Sequence, residues 1–464
     1  MLNHQLCVLL VSASEQIPST GTCIGGTFQY GYNISVINAP TKSVQNFINQ
    51  TWLERYDEDI SEQYLTLLWS NIVSIFTIGG FIGATIGGTL AIRFGRKGTL
   101  MMNNAFALLA ALLMGLSYPT GLFELLIVGR FFTGVNAGIG ICVQPLYLGE
   151  IAPRALRGAM AMGTSIFITG GILTGQVIGL KELLGKEEHW PILLCTTCIP
   201  AFLQLLILPW FPESPRYLLI DRGDDVGCRK AHPHQTLLYT IGYNVKDRGF
   251  ICFLLLSLLQ IYFYTDYVFE EAGIPDVNIP YVTVGTGACE CLTALTCGML
   301  IETLGRKVLI IGGYTLMAFW CICFTLTLTF QGAGVWMPYL SMGCVFAFIL
   351  SFGLGPGGVT NILTTELFTQ TSRPAAYMIG GSVNWLSFFV IGMVFPFIVT
   401  KLQQYCFLVF LVISVLVAVY IFLVVPETKN KTFLEIHTEF QSGDKRKASN
   451  ADDGPRTTLL STPL

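Results

Sequence analysis

Acidic and basic residues recur at one fixed spacing in the two halves of this chain, where they could form ion pairs. Glu150 and Arg157 form a Glu-x6-Arg motif, and Glu366 and Arg373 repeat it. Opposite charges at helix ends can tie helices together on one face of a protein and separate when that face opens. The competing interpretation is that these groups are solvated surface charges, but their duplication favours a charge latch. The predicted latch consists of Arg96, Glu150, Arg157, Glu213, Arg216, Arg306, Glu366, Arg373 and Glu427.

Two further motifs repeat in the same order, which indicates an internal duplication. A Gly-Arg-Lys turn at 95–97 returns at 305–307, and a Pro-Glu motif at 212–213 returns at 426–427. Counterparts are 210 residues apart for the turns (96 to 306), 216 for the Glu-x6-Arg motifs (150 to 366) and 214 for the Pro-Glu motifs (212 to 426). Two parallel repeats are typical of membrane transporters that bind their substrate between the halves, near the middle of the bilayer.

The composition is that of a polytopic membrane protein. Hydrophobic residues make up 52% of the chain and charged residues 12%, whereas soluble proteins carry about 25% charged residues. A net charge of −3 without a basic domain argues against nucleic-acid binding. The sequence has no Ser-His-Asp, HExxH or P-loop pattern, so an enzyme is not expected, and neither is a metal or another cofactor.

Twelve apolar stretches are each close to the ~20 residues that a helix needs to cross the hydrocarbon core of a bilayer. Six of them precede and six follow a short polar segment, which matches the duplication. The sequence therefore predicts an all-α membrane protein with twelve transmembrane helices in two six-helix bundles. Its parts are an atypical N-terminal segment (1–16), an N-terminal bundle (17–210), a shortened cytoplasmic linker (211–249), a C-terminal bundle (250–425) and a cytoplasmic tail (426–464).

The distribution of Lys and Arg predicts the orientation of these helices. The basic turns at 95–97 and 305–307 fall on one side with the basic residues that follow the sixth and twelfth stretches, and the positive-inside rule assigns that side to the cytoplasm. Both termini are then cytoplasmic. The opposite side carries a long loop, 40–63, whose Asn-Gln-Thr sequon makes Asn49 the expected glycosylation site.

Motifs in both halves carry a family resemblance. They include Gln-Tyr-Gly-Tyr-Asn at 29–33, Pro-Leu-Tyr-Leu-Gly-Glu at 145–150, Pro-Glu-Ser-Pro-Arg at 212–216 and Asn-Trp at 384–385, besides the repeated turns. With these motifs the chain resembles the sugar-porter branch of the major facilitator superfamily, and it closely resembles the facilitative hexose transporters of animals. Cys-Glu-Cys at 289–291 is more similar to their fructose- and urate-handling branch than to the main glucose carriers.

The resemblance implies the major facilitator fold, a multi-pass location in the plasma membrane, and a hexose such as glucose or fructose as the substrate. It leaves open which hexose, or urate, is carried and whether the protein forms a homo-oligomer in the lipid bilayer. Polar amides and an aromatic face suit a sugar, because each hydroxyl group both donates and accepts hydrogen bonds. The substrate-binding residues that the resemblance indicates are Gln29, Asn33, Ser165, Gln176, Gln260, Glu290, Asn361, Asn384 and Trp385.

Several of these positions depart from the pattern of the glucose carriers. Glu290 stands where they have Asn, Ser165 where they have Gln, and Asn361 where they have Trp, whereas Asn384 and Trp385 match. We therefore do not expect the pocket of a standard glucose carrier.

The first apolar stretch bears on the energy source. The similar proton-coupled sugar porters have an Asp after the Gly-Tyr pair, which supplies a buried carboxyl group that can load and release a proton. This chain has Asn33 there, which cannot titrate. Gradient-driven uniport is the favoured interpretation, and proton coupling through Glu290 is the alternative.

The seventh apolar stretch, 250–269, is strongly apolar only over its first fifteen residues. Residues 250–264 span about 22 Å at about 1.5 Å per residue, against a hydrocarbon core of roughly 30 Å. Around Gln260 the stretch also lacks the Gln, Gly and Asn segment that the family pattern places before its paired aromatic residues. We therefore expect the chain to reach the membrane poorly and to transport hexose weakly or not at all. A splice form, a misassembled sequence and a non-transporting sugar sensor are open alternatives.

Overall fold

Helices form all the regular structure in the part of the chain that a computed structural model describes. Nine helices in that part are long and apolar enough to cross a membrane. The expectation of an all-α membrane protein is therefore confirmed. The described residues are 24–151, 157–224, 265–275, 277–334, 336–367 and 373–429, together with Lys431 and Glu435.

The described part of the first half starts at a turn of π-helix and contains four long helices. Its elements are the π-helical turn Ile24–Phe28, α1 (Gln29–Ser35), α2 (Thr41–Tyr56), α3 (Glu62–Phe94), α4 (Arg96–Thr120), α5 (Phe123–Ile151), α6 (Arg157–Ile178), α7 (Trp190–Cys195), α8 (Cys198–Ile207), the 3-10 turn Leu208–Trp210 and the π-helical turn Tyr217–Asp221.

The second half repeats the sequence of long helices. Its elements are α9 (Thr265–Glu271), α10 (Ile279–Leu304), α11 (Arg306–Thr329), the 3-10 turn Gln331–Ala333, α12 (Met337–Phe352), the π-helical turn Gly353–Gly357, α13 (Gly358–Leu367), α14 (Arg373–Leu402), the 3-10 turn Gln403–Tyr405 and α15 (Cys406–Val424).

The repeated Gly-Arg-Lys turns separate equivalent helices in the two halves. Gly95 lies between α3 and α4 with φ of 84°, and Gly305 lies between α10 and α11 with φ of 92°. Residues with a Cβ rarely adopt a positive φ, so glycine allows the backbone to turn here without strain. The turn places Arg96 and Arg306 at the first position of the following helix in each half.

Close helix packing in the first half depends on small residues. A Cβ at Gly79 of α3 would overlap the carbonyl oxygen of Phe131 on α5, and a Cβ at Gly134 of α5 would overlap the carbonyl oxygen of Phe76 on α3. Membrane helices pack in this way because lipid gives them no hydrophobic drive to associate. The two backbones are therefore in direct contact.

Two seams join the halves. Along the first, α3 faces α14, with the Thr85 and Ser382 hydroxyl oxygens 3.1 Å apart. Along the second, α6 and the segment after it face α10, where the Tyr281 hydroxyl donates to a Glu182 carboxylate oxygen at 2.6 Å. The halves therefore meet on both sides of a central region.

The predicted loop 40–63 contains a helix that sequence reading did not anticipate. α2 covers Thr41–Tyr56 and buries Val44, Phe47 and Ile48 against the first half. Apolar residues at this spacing lie on one face of a helix, which explains why the segment is ordered. Asn49 lies on this helix with an exposed side chain, and its glycosylation stays a prediction.

Three sequence predictions concern segments that the structure does not describe. They are the atypical start (1–16), most of the shortened linker, and the seventh stretch apart from residues 265–269, which lie in α9.

Candidate functional site

A dry ion pair holds the ends of α3, α4 and α5 together. Arg96 Nε lies 2.8 Å from a carboxylate oxygen of Glu150, and the two side chains are 0% and 5% exposed. Arg216 Nη1 reaches the same carboxylate at 3.4 Å, and the Ser214 hydroxyl also donates to it. A second acid, Asp221, pairs with Arg96 Nη1 at 2.5 Å. We call Arg96, Glu150, Glu213, Ser214, Arg216 and Asp221 the N-half charge cluster.

Glu213 stabilises the Gly-Arg-Lys turn at 95–97. Its carboxylate accepts hydrogen bonds from the backbone N–H groups of Arg96 at 3.0 Å and Lys97 at 3.1 Å. These groups are at the start of α4, where backbone N–H groups have no partner within the helix and favour a negative charge. Glu213 therefore caps α4 from a segment more than a hundred residues away in the sequence.

The second half repeats this arrangement. Arg306 Nη2 lies 2.8 Å from Glu366, and Thr428 donates to the same carboxylate at 2.5 Å. Glu427 accepts from the backbone N–H groups of Arg306 and Lys307, each at 3.0 Å. We call Arg306, Glu366, Glu427 and Thr428 the C-half charge cluster.

The environment of Glu427 favours its charged form. Burial raises the pKa of this carboxyl group, but hydrogen bonds from four backbone N–H groups outweigh burial and hold its pKa below the ordinary value of 4.5. The carboxylate is therefore an integral part of the turn.

The described ion pairs of both clusters lie within one half. They connect helix ends of the same bundle, so they shape the end of each half rather than bridging the two. Arg157 and Arg373 begin α6 and α14, but their side chains are outside the described part of the structure. Whether Glu150 and Glu366 also pair with these arginines stays a prediction.

Trp385 lies at the centre of the first seam. Its indole ring is fully buried, 5.5 Å from the Tyr30 ring and 5.2 Å from the Phe76 ring, in edge-to-face contacts. A Cβ at Gly80 would overlap the indole, so glycine makes room for it. The indole N–H has no hydrogen-bond partner among the described residues. A buried donor without a partner is costly, so this group is a candidate to bind a ligand.

Polar residues of both halves surround this ring. Asn384, which precedes Trp385, has its side chain beside Tyr30 of the other half. Glu290 on α10 is 6% exposed and interacts electrostatically with Tyr30. On the second seam, the side-chain oxygen of Gln176 is buried against Gly287 and has no hydrogen-bond partner in the described ranges. The structure thus brings Glu290, Asn384 and Trp385 together around Tyr30.

Gln29 and Asn33 face the interior of the first half. The Gln29 amide donates to the Thr197 carbonyl at 2.9 Å, and the Asn33 amide donates to the Thr197 hydroxyl at 2.9 Å. Arg130 donates to the Asn33 carbonyl at 3.1 Å and lies 4.5 Å over the Phe76 ring. The side of α1 that carries both amides is therefore hydrogen-bonded to Thr197, in the interruption between α7 and α8.

For the remaining predicted substrate-binding residues, the structure gives less information about the side chain. Ser165 is buried on α6. Asn361 belongs to α13, but its side chain is outside the described part, and so is the whole of Gln260.

Comparison with known proteins decides the family. The model of the family described as "Sugar (and other) transporter" matches residues 19–231 and 229–440. This chain belongs to the sugar transporter family. The human facilitated glucose transporter member 11 of solute carrier family 2 is 44% identical, over 90% of this chain and 90% of that protein. Member 9 from mouse is 45% identical, over 91% and 84%. The resemblance to facilitative hexose transporters is therefore confirmed.

A solved structure confirms the fold of this sugar transporter. The proton:xylose symporter XylE, bound to 6-bromo-6-deoxy-D-glucose, aligns with a TM-score of 0.76 at 20% identity, over 91% of this chain and 98% of that one. The chain therefore has the major facilitator fold. Its relatives are transporters rather than enzymes, as expected.

Sequence reasoning missed several residues of these sites. Ser214 and Thr428 bind Glu150 and Glu366 at matching positions. The repeated motif Pro-Glu-Ser and Pro-Glu-Thr could have identified both. Asp221 and Thr197 gave no such signal, because only the fold brings them to Arg96 and Asn33.

Proposed function

We propose that this sugar transporter carries a hexose, such as glucose or fructose, down its concentration gradient by alternating access between the two halves. The observation that supports this most is the buried cluster of polar and aromatic residues around Trp385, to which both halves contribute. The indole N–H of Trp385 has no hydrogen-bond partner among the described residues. An aromatic face with amides beside it suits a sugar, because sugars have an apolar face and a polar edge.

Asn33 supports uniport rather than proton coupling. Its amide binds Thr197 and its carbonyl accepts from Arg130, so the position holds no group that could exchange a proton. The second candidate is proton-coupled symport. It draws on Glu290, which is the only acidic side chain more than two turns from the end of a membrane-spanning helix among the described residues.

We infer that the protein is a multi-pass protein of the plasma membrane with both termini in the cytoplasm. Both charge clusters lie at equivalent helix ends, where the basic turns are found. The positive-inside rule favours the cytoplasm for that side.

The short seventh stretch raises a competing role, a transport-impaired form or a non-transporting sugar sensor. Binding and transport distinguish these roles. We propose to reconstitute the purified chain in liposomes and to measure uptake of labelled glucose, fructose and urate alongside binding of each in detergent. Saturable hexose uptake supports the transporter. Hexose binding without uptake in either direction supports the sensor, and uptake of urate alone would contradict the proposed substrate.

The variant Trp385→Phe tests the site itself. It retains an aromatic face but removes the indole N–H, and we expect a half-saturation concentration for hexose about fivefold higher, since one hydrogen bond in a buried site is worth roughly 1 kcal/mol. Trp320→Phe is the matched control, because Trp320 lies on α11, outside the seam. Equal half-saturation in both variants would contradict a role of Trp385 in binding.

A further inference from the structure

One buried glutamine connects α5 to the turn that precedes α1. The backbone N–H of Thr27 donates to Gln144 Oε1 at 2.6 Å, and Gln144 Nε2 donates to the Thr27 hydroxyl at 3.1 Å. Both residues are 0% exposed. A single carboxamide therefore binds one residue of another helix through its donor and its acceptor at once, which fixes both the position and the rotation of that residue.

Glycine makes this contact possible. A Cβ at Gly26 would overlap Gln144 Oε1 and would lie 2.8 Å from its Cδ. Gly140, one turn before Gln144, faces Gly26 as well, since a Cβ there would lie 3.5 Å from the Gly26 Cα. The two helices thus approach each other at a point where neither has a side chain, and the carboxamide of Gln144 fills the space.

The clamped residue lies within an irregular turn. Thr27 belongs to the π-helical turn Ile24–Phe28, which is followed directly by Gln29. A π-helical turn rotates the residues that follow it relative to a continuous α-helix, and such turns are frequent at functional sites. The direction in which the Gln29, Tyr30 and Asn33 side chains point is therefore set by the geometry of this turn.

The same part of α5 also contacts the other half. The thiol of Cys142, two residues before Gln144, donates to the Tyr377 carbonyl on α14 at 3.3 Å. Residues two apart on a helix point to different sides. α5 therefore lies between α1 and α14 here, and a movement between the halves displaces the residue that holds α1.

We propose that Gln144 is a positioning residue for the side of α1 that carries Tyr30, and that its clamp on Thr27 keeps Tyr30 in register with Asn384 and Trp385 of the other half. Gln144 does not touch the substrate in this arrangement. It acts through the turn Ile24–Phe28, and Gly26 is a required part of the clamp. The proposal rests on the proposed function, because that function assigns the Tyr30 side of α1 to the sugar site.

Gln144→Leu removes the clamp, and Asn136→Leu is its matched control. Asn136 lies on the same helix and exchanges two amide-to-carbonyl hydrogen bonds, both at 3.0 Å, with Asn103 on α4. Both of these residues are 1% exposed. The control thus removes the hydrogen bond that the Asn136 side chain donates to the Asn103 backbone carbonyl, at a comparably buried site that does not involve α1. Both variants should lower the melting temperature.

Hexose uptake should separate the two variants. We expect Gln144→Leu to raise the half-saturation concentration about tenfold, as the loss of one or two hydrogen bonds allows. Asn136→Leu should leave it unchanged. Gly26→Ala should reproduce Gln144→Leu without adding to it, and Thr27→Val, which retains the backbone contact, should have a smaller effect. The same half-saturation in Gln144→Leu and Asn136→Leu would overturn the proposal.

A second measurement needs no transport. In a background without reactive cysteines, Gln29→Cys should react at least about threefold faster with a small thiol reagent when combined with Gln144→Leu, but not when combined with Asn136→Leu. If the chain carries no hexose and this difference is found, the proposed function fails and the clamp stands. Equal labelling rates would overturn the clamp, whatever the transport result.

Discussion

Arg96 and Glu150 form an ion pair of 2.8 Å from which water is almost excluded, and Arg306 and Glu366 form its counterpart at 2.8 Å. The two pairs differ in their surroundings. The Glu150 side chain is 5% exposed, whereas that of Glu366 is 25% exposed. A screened pair is weaker than a dry one, so the C-half charge cluster is the more easily opened of the two.

We expect Glu366→Gln to favour the inward-open state. The substitution removes the negative charge that pairs with Arg306, while the hydrogen bonds of Glu427 to the turn remain. Engineered cysteines on the cytoplasmic side should then react faster with a membrane-impermeant thiol reagent in inside-out vesicles. Glu58→Gln, an exposed acid before α3, is the control. Unchanged labelling in Glu366→Gln would contradict a latch role for this pair and leave it as a contact that only shapes the end of the second half.

Glu427 should make stability depend on pH in one direction. Burial raises the pKa of its carboxyl group, but backbone N–H groups lower it further, so the folded value is below 4.5. A group with a lowered pKa stabilises the fold at pH values above its unfolded pKa, and this contribution is lost as the pH falls through the folded value. The wild type should therefore melt at a higher temperature than Glu427→Gln, with the largest difference at pH 7 and a smaller one below about pH 4.5.

The measurement is the melting temperature in detergent across that range. Glu58→Gln again serves as the control, and it should show a small difference at every pH. A difference between the wild type and Glu427→Gln that grows on acidification would contradict the assignment.

Gly80→Ala should impair the rocking of the halves. A Cβ at this position would overlap the Trp385 indole, and overpacking a buried site costs about 1–3 kcal/mol. We expect a lower melting temperature and slower uptake. Gly170→Ala is the matched control, because a Cβ there meets nothing within 4 Å. Equal behaviour of the two variants would mean that the first seam tolerates a displaced indole.

The repeat in the sequence identified which residues belong to the charge clusters, but it did not identify which of them pair with each other. Residues such as Arg96 and Glu213 stand in short motifs that recur, so spacing alone identified them. Their pairing depends on how α4 and α5 pack. Glu-x6-Arg spacing suggested Arg157 for Glu150, yet the described partners are Arg96 and Arg216.

The central site shows a similar limit. Family motifs identified Asn384 and Trp385, but they could not show that Gln29 and Asn33 bind Thr197 within the first half. That outcome depends on the rotation of α1 about its axis, which the turn Ile24–Phe28 sets. A local irregularity of this kind has no periodic signal in the sequence, because apolar patterns report only regular helices.

The short seventh stretch leads to a prediction from length alone. Residues 250–264 cover about 22 Å of a roughly 30 Å core, and Gln260 is the one amide among them, without the Gln, Gly and Asn segment of the family pattern. Inserting a six-residue Gln-x-x-Gly-x-Asn segment after Gln260 should raise surface expression and hexose uptake at least about tenfold, since two or three hydrogen bonds are restored. An insertion of six apolar residues should restore expression alone. Robust saturable uptake by the unmodified chain would contradict this prediction.

Gradient-driven exchange of hexose between two compartments is the property that most directly distinguishes this protein from a symporter or a sensor. The measurement is uptake of labelled hexose into proteoliposomes that contain the form with the lengthened seventh stretch, with and without a protonophore. Because Asn33 offers no titratable group, we expect saturable uptake that the protonophore leaves unchanged, and faster uptake when unlabelled hexose is present inside. Uptake that disappears with the protonophore, and persists at a reduced level in Glu290→Gln, would contradict uniport and assign the coupling to Glu290.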